Sequence, residues 1–403
     1  MKALDGIRVL DMSRILAGPW ASQLMADMGA SVIKVEQPGR GDDTRHWGPP
    51  WLNSDPGALS AYFLACNRGK QSVCIDFSHP EGQALLRELA ADSDILLENF
   101  RPGSLARYGL DHDSLRKQNP GLIYCSITGF GQDGPYAQRN GYDLLLQAMG
   151  GLMSITGSPA REGGEPAKVG VAVTDILTGL YATIACLGAL REREAGAGGQ
   201  HIDMALMDVQ VATLANQAMN YLVGGEVPQA MGHAHPNIVP YQAFEAVDGW
   251  LVIAAGNDKQ FQALCDVLDL PDLARDPAYA RNADRVAQRA ILVKRLAAVI
   301  RRRPRGDWLA ALERAGVPAG PVNDMAAVMD DPQVRARGLV QTLTHPRLGE
   351  IPTIASPIRC RGGSTQSHGP PPALGQDTQA VLMERLGLDE QRLSRLRAEG
   401  VIR

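Results

Sequence analysis

The chain has 403 residues, 45% of them apolar, which is enough for a large buried core and about two or three domains. A net charge of −4, with no basic block beyond Arg301-Arg302-Arg303-Pro304-Arg305, argues against a nucleic-acid partner. The six cysteines have no CxxC spacing and the eight histidines form no HExxH, so no metal is expected and a reducing, cytoplasmic setting is; His233 and His235, two apart, are a weak metal signal.

The chain opens MKALDGIRVLDMSR, without the apolar region of a signal peptide. Gly6–Asp11 reads as a buried strand, Ala17–Met28 as a helix stopped by Gly29, and Ser31–Glu36 as a second strand. This βαβ opening predicts a parallel α/β sheet. Glu36 stands where a ribose-binding acid would lie in a dinucleotide site. The first strand, however, runs into Met12-Ser13-Arg14-Ile15-Leu16-Ala17-Gly18 rather than GxGxxG, so NAD is rejected and the Rossmann-like fold kept.

The alternation continues with strands at Ser72–Phe77, Asp94–Glu98 and Leu122–Ile127, and a helix over Pro80–Ala91. Each strand ends in a polar or Gly-rich loop. Open α/β sheets bind ligands beyond the carboxyl ends of their strands, so loops 12–18, 37–47, 99–103 and 128–142 are the candidate site.

Val169–Leu190 is an apolar run holding one charge, Asp175. It is long enough to span a bilayer, but its three glycines, three threonines and aspartate favour a core helix. Asp175 has two compatible readings: a cap or first-turn residue of that helix, or a carboxylate with a chemical task. His201–Ala205 is a further candidate strand and Leu206–Leu222 a helix; Gly224–Pro240 is irregular. A second unit starts at Trp250–Ala254, with helices near 258–268, 283–301 and 306–315. Leu339–Pro357 predicts an antiparallel pair, 361–373 a linker, and 377–386 and 389–398 two closing helices.

In this order, LDGIRVLDMSRILAGP, GASVIKVEQPGRGD, NRGKQSVCIDF, LLENFRPG, ITGFGQDGPYAQRNGYD, the Asp175 run, GVPAGPVND and PALGQDT resemble the class III CoA-transferases along essentially the whole chain. The resemblance implies a large Rossmann-like domain with a parallel sheet and a smaller α+β domain. Two such chains would thread through each other as an interlocked, ring-like homodimer. The chain would divide into a large CoA-binding domain over 1–223, a linker over 224–248, a small domain over 249–330, and a return segment over 331–403 that packs on the large domain.

The same resemblance implies that Asp175 is the nucleophile and coenzyme A, as its thioester, the substrate. A carboxylate divides the exchange into covalent steps: a mixed anhydride with the donor acid, then an aspartyl-CoA thioester, then the reverse with the acceptor. Such a site needs an ionised nucleophile, which a helix N-terminus favours, oxyanion donors worth about 3 kcal/mol each, and exclusion of water. Matching CoA-binding positions are Ile15, Leu16 and Ala17, Gln37, the turn from Asn67 to Lys70, Asn99, Phe100 and Arg101, Arg107, and Thr128, Gly129, Phe130 and Gly131. Lys70 and Arg107 suit nucleotide phosphates. Arg107 is also readable as a surface helix charge, Phe100 as a core aromatic, and Tyr142 as a buried tyrosine rather than a hydrogen-bond donor at the thioester.

Leu16 replaces a glutamine of the formyl-CoA transferases, Gln37 an arginine, and Met231–Asn237 a run of glycines, so oxalate is disfavoured. The racemases of this fold use a histidine where Asn140-Gly141-Tyr142-Asp143 has tyrosine, a poor base near neutral pH, so transfer is favoured over racemisation. A catalytically inactive acyl-CoA-binding protein is the third reading. GDDTRHWGPPW and HPNIVPYQAF resemble the branch that moves CoA between succinyl-CoA and dicarboxylates. Arg45 and His46 are its candidate partners for the far carboxylate, with a CoA contact or a structural role for Arg45 as the alternative.

Overall fold

The computed structural model describes residues 2–55, 59–359 and 369–403. Six strands form one parallel sheet: β1 (Arg8–Asp11), β2 (Ser31–Glu36), β3 (Lys70–Cys74), β4 (Ile95–Glu98), β5 (Ile123–Thr128) and β6 (His201–Ala205). The spatial order is β3-β2-β1-β4-β5-β6 and every pair is parallel. This is the doubly wound arrangement expected from the sequence. β3 begins two residues before its expected start, because Lys70 pairs with Val32.

The strands are covered on both faces, which is why they read as near-continuous apolar runs. Leu10, Ile33, Val73, Leu96 and Tyr124 face one core, shared with the Pro80–Ala91 helix and the C-terminal helices Thr378–Leu386 and Glu390–Ala398. Val9, Val32, Ile95, Ile123 and Cys125 face the other, shared with helices Ala17–Asp27 and Val173–Glu194. Adjacent residues of β1, β2, β4 and β5 thus serve opposite cores, as the two-residue pleat requires.

Helix Val173–Glu194 is long and apolar enough to cross a membrane. Here it buries Ala182, Cys186, Ala189 and Leu190 against the sheet, while Leu180, Tyr181 and Ile184 are exposed. At Gly179 it meets the Ala17–Asp27 helix so closely that a Cβ would lie 2.7 Å from the Ala17 carbonyl oxygen. That contact brings Asp175 and the loop after β1 to the same end of the sheet.

The chain resolves into two compact units, 1–152 with 169–219 and 333–403, and 153–168 with 220–332. The second contains an antiparallel sheet of β7 (Tyr241–Ala246), β8 (Gly249–Ala254) and β9 (Ala319–Pro321). Its boundaries differ from the expected ones. Residues 241–246, expected within the linker, are β7, paired with β8 across Val247-Asp248. Alternate burial along Tyr241–Ala246 builds that strand, and the Gly- and Pro-rich residues before it obscure the pattern. Helices Asp258–Val267, Arg289–Ile300 and Arg305–Arg314 complete this unit.

In the first unit, β10 (Val340–His345) and β11 (Gly349–Ile354) form the expected antiparallel pair. Of the expected linker 361–373, residues 361–368 lie outside the described residues. The chain end closes the β3 edge: Asp377 accepts the Ser72 N–H at 2.8 Å, and Ile402 bridges Ile75.

Candidate active site

The sheet reverses its winding between β1 and β4, so the loops after these strands diverge and leave a crevice. Asn99 ties the two loops together. Its amide accepts the Arg14 N–H at 2.9 Å and donates to the Arg14 carbonyl at 2.7 Å. Above them lies a cavity of about 310 Å³ lined by Ile15, Leu16, Ala17, Asn99, Phe100, Arg101, Thr128, Gly129, Tyr142 and Asp175, with Arg14, Arg139 and Leu206. Asp175 is the one carboxylic acid among the described lining residues, beside three arginines. A second cavity of about 180 Å³ contains Gln37, Arg40 and Asp76 and shares Arg14 and Phe100 with the first.

Asp175 lies in the first turn of helix Val173–Glu194, but it does not cap it. The N-cap residue, Ala172, has no capping side chain. Asp143 supplies the cap from another helix, accepting the N–H groups of Thr174 at 2.8 Å and Asp175 at 3.3 Å. Gln147 donates to the other Asp143 oxygen at 2.6 Å and accepts the Val169 N–H at 2.9 Å. The electrostatic result differs from the expected one. Burial first, and then the Asp143 charge, push the Asp175 carboxyl up to about 7, where a helix terminus was expected to keep it ionised.

Two glycines let Asp143 reach this position. A Cβ on Gly129 would lie 2.6 Å from the Gly141 Cα, and one on Gly141 would lie 2.3 Å from the Gly129 Cα. Only two glycines permit that approach between the end of β5 and the loop that leads into helix Asp143–Met149.

The loop after β1 rests on buried charge. Asp11 accepts from Ser13 and Ser22 and pairs with Lys70 at 3.2 Å. Lys34 pairs with Asp42 at 2.8 Å and donates to the Ser13 carbonyl at 3.0 Å. Asp42 in turn accepts the N–H of Ile15 at 3.2 Å, a β-branched residue held at φ 73°. The expected phosphate role of Lys70 does not match this placement: its ammonium is buried and committed to Asp11, the Pro19 carbonyl and Asn67. Asn67 is buried with it, donating to the Phe63 carbonyl at 3.0 Å.

Arg45 and His46 are likewise not among the residues lining Asp175's cavity. The Arg45 guanidinium clasps Glu36 with bonds of 2.7 and 2.6 Å, lies 3.7 Å from the Phe63 ring centroid and donates to the Pro372 carbonyl. The same clasp uses up Glu36, the acid with dinucleotide-like placement. The His46 ring donates to the Arg40 carbonyl at 2.8 Å. Sequence spacing puts Arg45 in a polar loop; only tertiary pairing reveals its buried partner.

Of the remaining expected contacts, Phe100 lines both cavities and stacks edge-on against Phe77 at 5.5 Å. Arg101 donates to Asn140 at 3.0 and 2.9 Å. Tyr142 is 63% exposed, which removes the buried-tyrosine reading. Phe130 and Gly131 are not among the lining residues: Phe130 packs against the core, and Gly131 donates its N–H to Thr128 Oγ1 at 2.9 Å. Arg107, on the surface over the Tyr108 ring at 4.5 Å, lines neither cavity. Asp143 and Arg139 are the additions sequence reasoning missed; the acid opening a helix in NGYDLLL is the signal for Asp143.

Among the described residues no group of three or more histidine, cysteine or acidic side chains is arranged to hold a metal ion. The fold and the paired cavities define an α/β protein of Rossmann topology whose candidate site lies at the switch point, with Asp175 the one carboxylic acid among the described residues lining the first cavity. The chain belongs to CoA-transferase family III, whose sequence profile matches residues 4–378. It is 49% identical over 383 residues to the succinate–glutarate CoA-transferase of Agrobacterium fabrum, covering 94% of this chain and 95% of that one. It is 43% identical over 402 residues to the human succinyl-CoA:glutarate CoA-transferase, covering 100% and 90%. A crystal structure of a CAIB/BAIF family protein from Brucella suis superposes with a TM-score of 0.84 at 49% identity, covering 95% and 99%.

Proposed function

We propose that this enzyme moves CoA from succinyl-CoA to a free dicarboxylic acid of about glutarate length, with Asp175 as nucleophile. The observation that carries the reading is the placement of Asp175, the one acid among the described residues lining a cavity at the switch point. The names of the relatives supply the acid pair. The two adjoining cavities, sharing Arg14 and Phe100, suit an elongated ligand with its thioester in the first and its nucleotide end toward Gln37 and Arg40.

Ionised Asp175 attacks the thioester carbonyl and CoA leaves as thiolate, giving a mixed anhydride. The thiolate attacks the aspartyl carbonyl and releases succinate, leaving an aspartyl-CoA thioester. The acceptor carboxylate attacks that thioester, the thiolate departs and returns to the acceptor's acyl carbon, and Asp175 is freed as carboxylate. Backbone N–H groups where Gly129 meets Gly141, both lining the cavity, would serve as donors for the oxyanions. No histidine is among the described lining residues, which disfavours a two-base racemase.

The protein acts as an interlocked homodimer in a reducing cytoplasm on this reading. The exposed Leu180, Tyr181 and Ile184 support a partner surface, and the buried free thiols of Cys66, Cys74, Cys125, Cys186 and Cys265 support the compartment; Cys360 lies outside the described residues. The test is a panel of acids with succinyl-CoA, followed by hydroxylamine or borohydride trapping and mass spectrometry. Turnover of dicarboxylates with an adduct on Asp175 is expected. Deuterium entry at the α-carbon without an adduct would mean a racemase, and CoA binding without exchange an inactive binder.

A further inference from the structure

The proposed reading leaves one demand unmet. A dicarboxylate brings a second negative charge into a site that must be poor in water, and that charge needs a cation. Arg45 does not supply it, because Glu36 holds its guanidinium. Three guanidinium-bearing residues line the cavity around Asp175. Arg14 is paired with Asp43 at 3.1 Å, and Arg101 is bonded through two nitrogens to Asn140.

Arg139 is held differently. Its guanidinium lies 4.0 Å from the Tyr136 ring centroid, and Tyr136 packs edge-on against Phe130 at 5.5 Å. No carboxylate pairs with it among the described residues. An aromatic shelf fixes a guanidinium in place without neutralising it and leaves its in-plane N–H donors free, the geometry that grips a carboxylate through two bonds.

We infer that Arg139 binds the far carboxylate of the substrate acid and so selects dicarboxylates. The inference rests on the proposed acid exchange. One cation serves both half-reactions, because the succinyl group of the donor and the free acceptor each present a carboxylate at the end remote from Asp175. Tyr136 acts as a positioning residue.

The test compares glutarate with glutaramate, whose far carboxylate is an uncharged amide, in the full-length enzyme and in Arg139→Gln and Arg139→Lys. The wild type is expected to prefer glutarate strongly in kcat/KM. Arg139 is exposed in the single chain, so Arg139→Gln should reduce that preference by about 5-fold or more, the loss expected of a charge pair open to solvent. Arg139→Lys should restore part of it. Equal slowing of both acids, with a raised KM for acyl-CoA thioesters of any acyl group, would assign Arg139 to CoA and overturn the inference. An unchanged preference would also overturn it. A wild-type enzyme that transfers CoA to no acid overturns the reading beneath it.

Discussion

Asp143 caps the helix that carries Asp175 and, through the same carboxylate, opposes the ionisation of Asp175. One residue therefore both aims the proposed nucleophile and raises its affinity for protons. A carboxylate near 7 is also a stronger nucleophile than an ordinary one, provided enough of it is ionised at the working pH.

The first consequence is a pH profile. Only the ionised carboxyl attacks, so kcat/KM should rise with pH and level off above about 7. Asp143→Asn keeps one acceptor oxygen for the cap but removes the charge, and should move the midpoint to lower pH. Profiles of the two enzymes check this; a shared midpoint would show that the neighbouring charge does not set it.

Asp175→Asn should abolish exchange, with a loss on the order of 10⁴-fold. It should also alter stability in a defined pH window. The Asp175 carboxyl is raised from 3.8 to about 7, so folding favours its protonated form. That contribution is complete below about 4 and is lost as pH rises through 7. The asparagine variant should therefore melt higher than wild type at pH 8, by on the order of 1 kcal/mol after allowing for solvent at the partly exposed carboxyl, and equally at pH 4. Thermal unfolding at both pH values is the measurement.

The glycine contact gives a third prediction. Gly141→Ala places a methyl against the Gly129 backbone and pushes the Asp143 loop outward. A displacement of about 1 Å at a positioned group costs roughly 100-fold in rate. Exchange should fall by about that factor while the far-ultraviolet circular dichroism stays unchanged.

Lys70 and Arg45 should behave as structural residues. Lys70→Met leaves Asp11 buried with its charge partner gone, and Arg45→Gln does the same to Glu36. Each should cost about 3–5 kcal/mol in denaturant unfolding. The surviving folded fraction of Arg45→Gln should keep the wild-type ratio of glutarate to glutaramate turnover, unlike Arg139→Gln.

The sequence by itself determined the doubly wound sheet, because strands covered on both faces, such as Val9–Asp11 and Ile95–Glu98, leave apolar runs with polar loops behind them. It also pointed to a candidate site, since loops 12–18, 37–47, 99–103 and 128–142 follow strand ends, and it singled out Asp175 as an acid in an apolar run. Local pattern carries that much because it records burial along the chain. The tertiary structure decided which charges are spent. Arg45, Lys70 and Arg139 are all cations near polar loops in the sequence; Glu36 and Asp11 neutralise the first two, whereas among the described residues an aromatic ring and no carboxylate holds the third. It also decided that Asp143 caps Asp175's helix from 32 residues away, through a contact between two glycine backbones. Long-range pairing of this kind leaves no periodicity for a sequence to display.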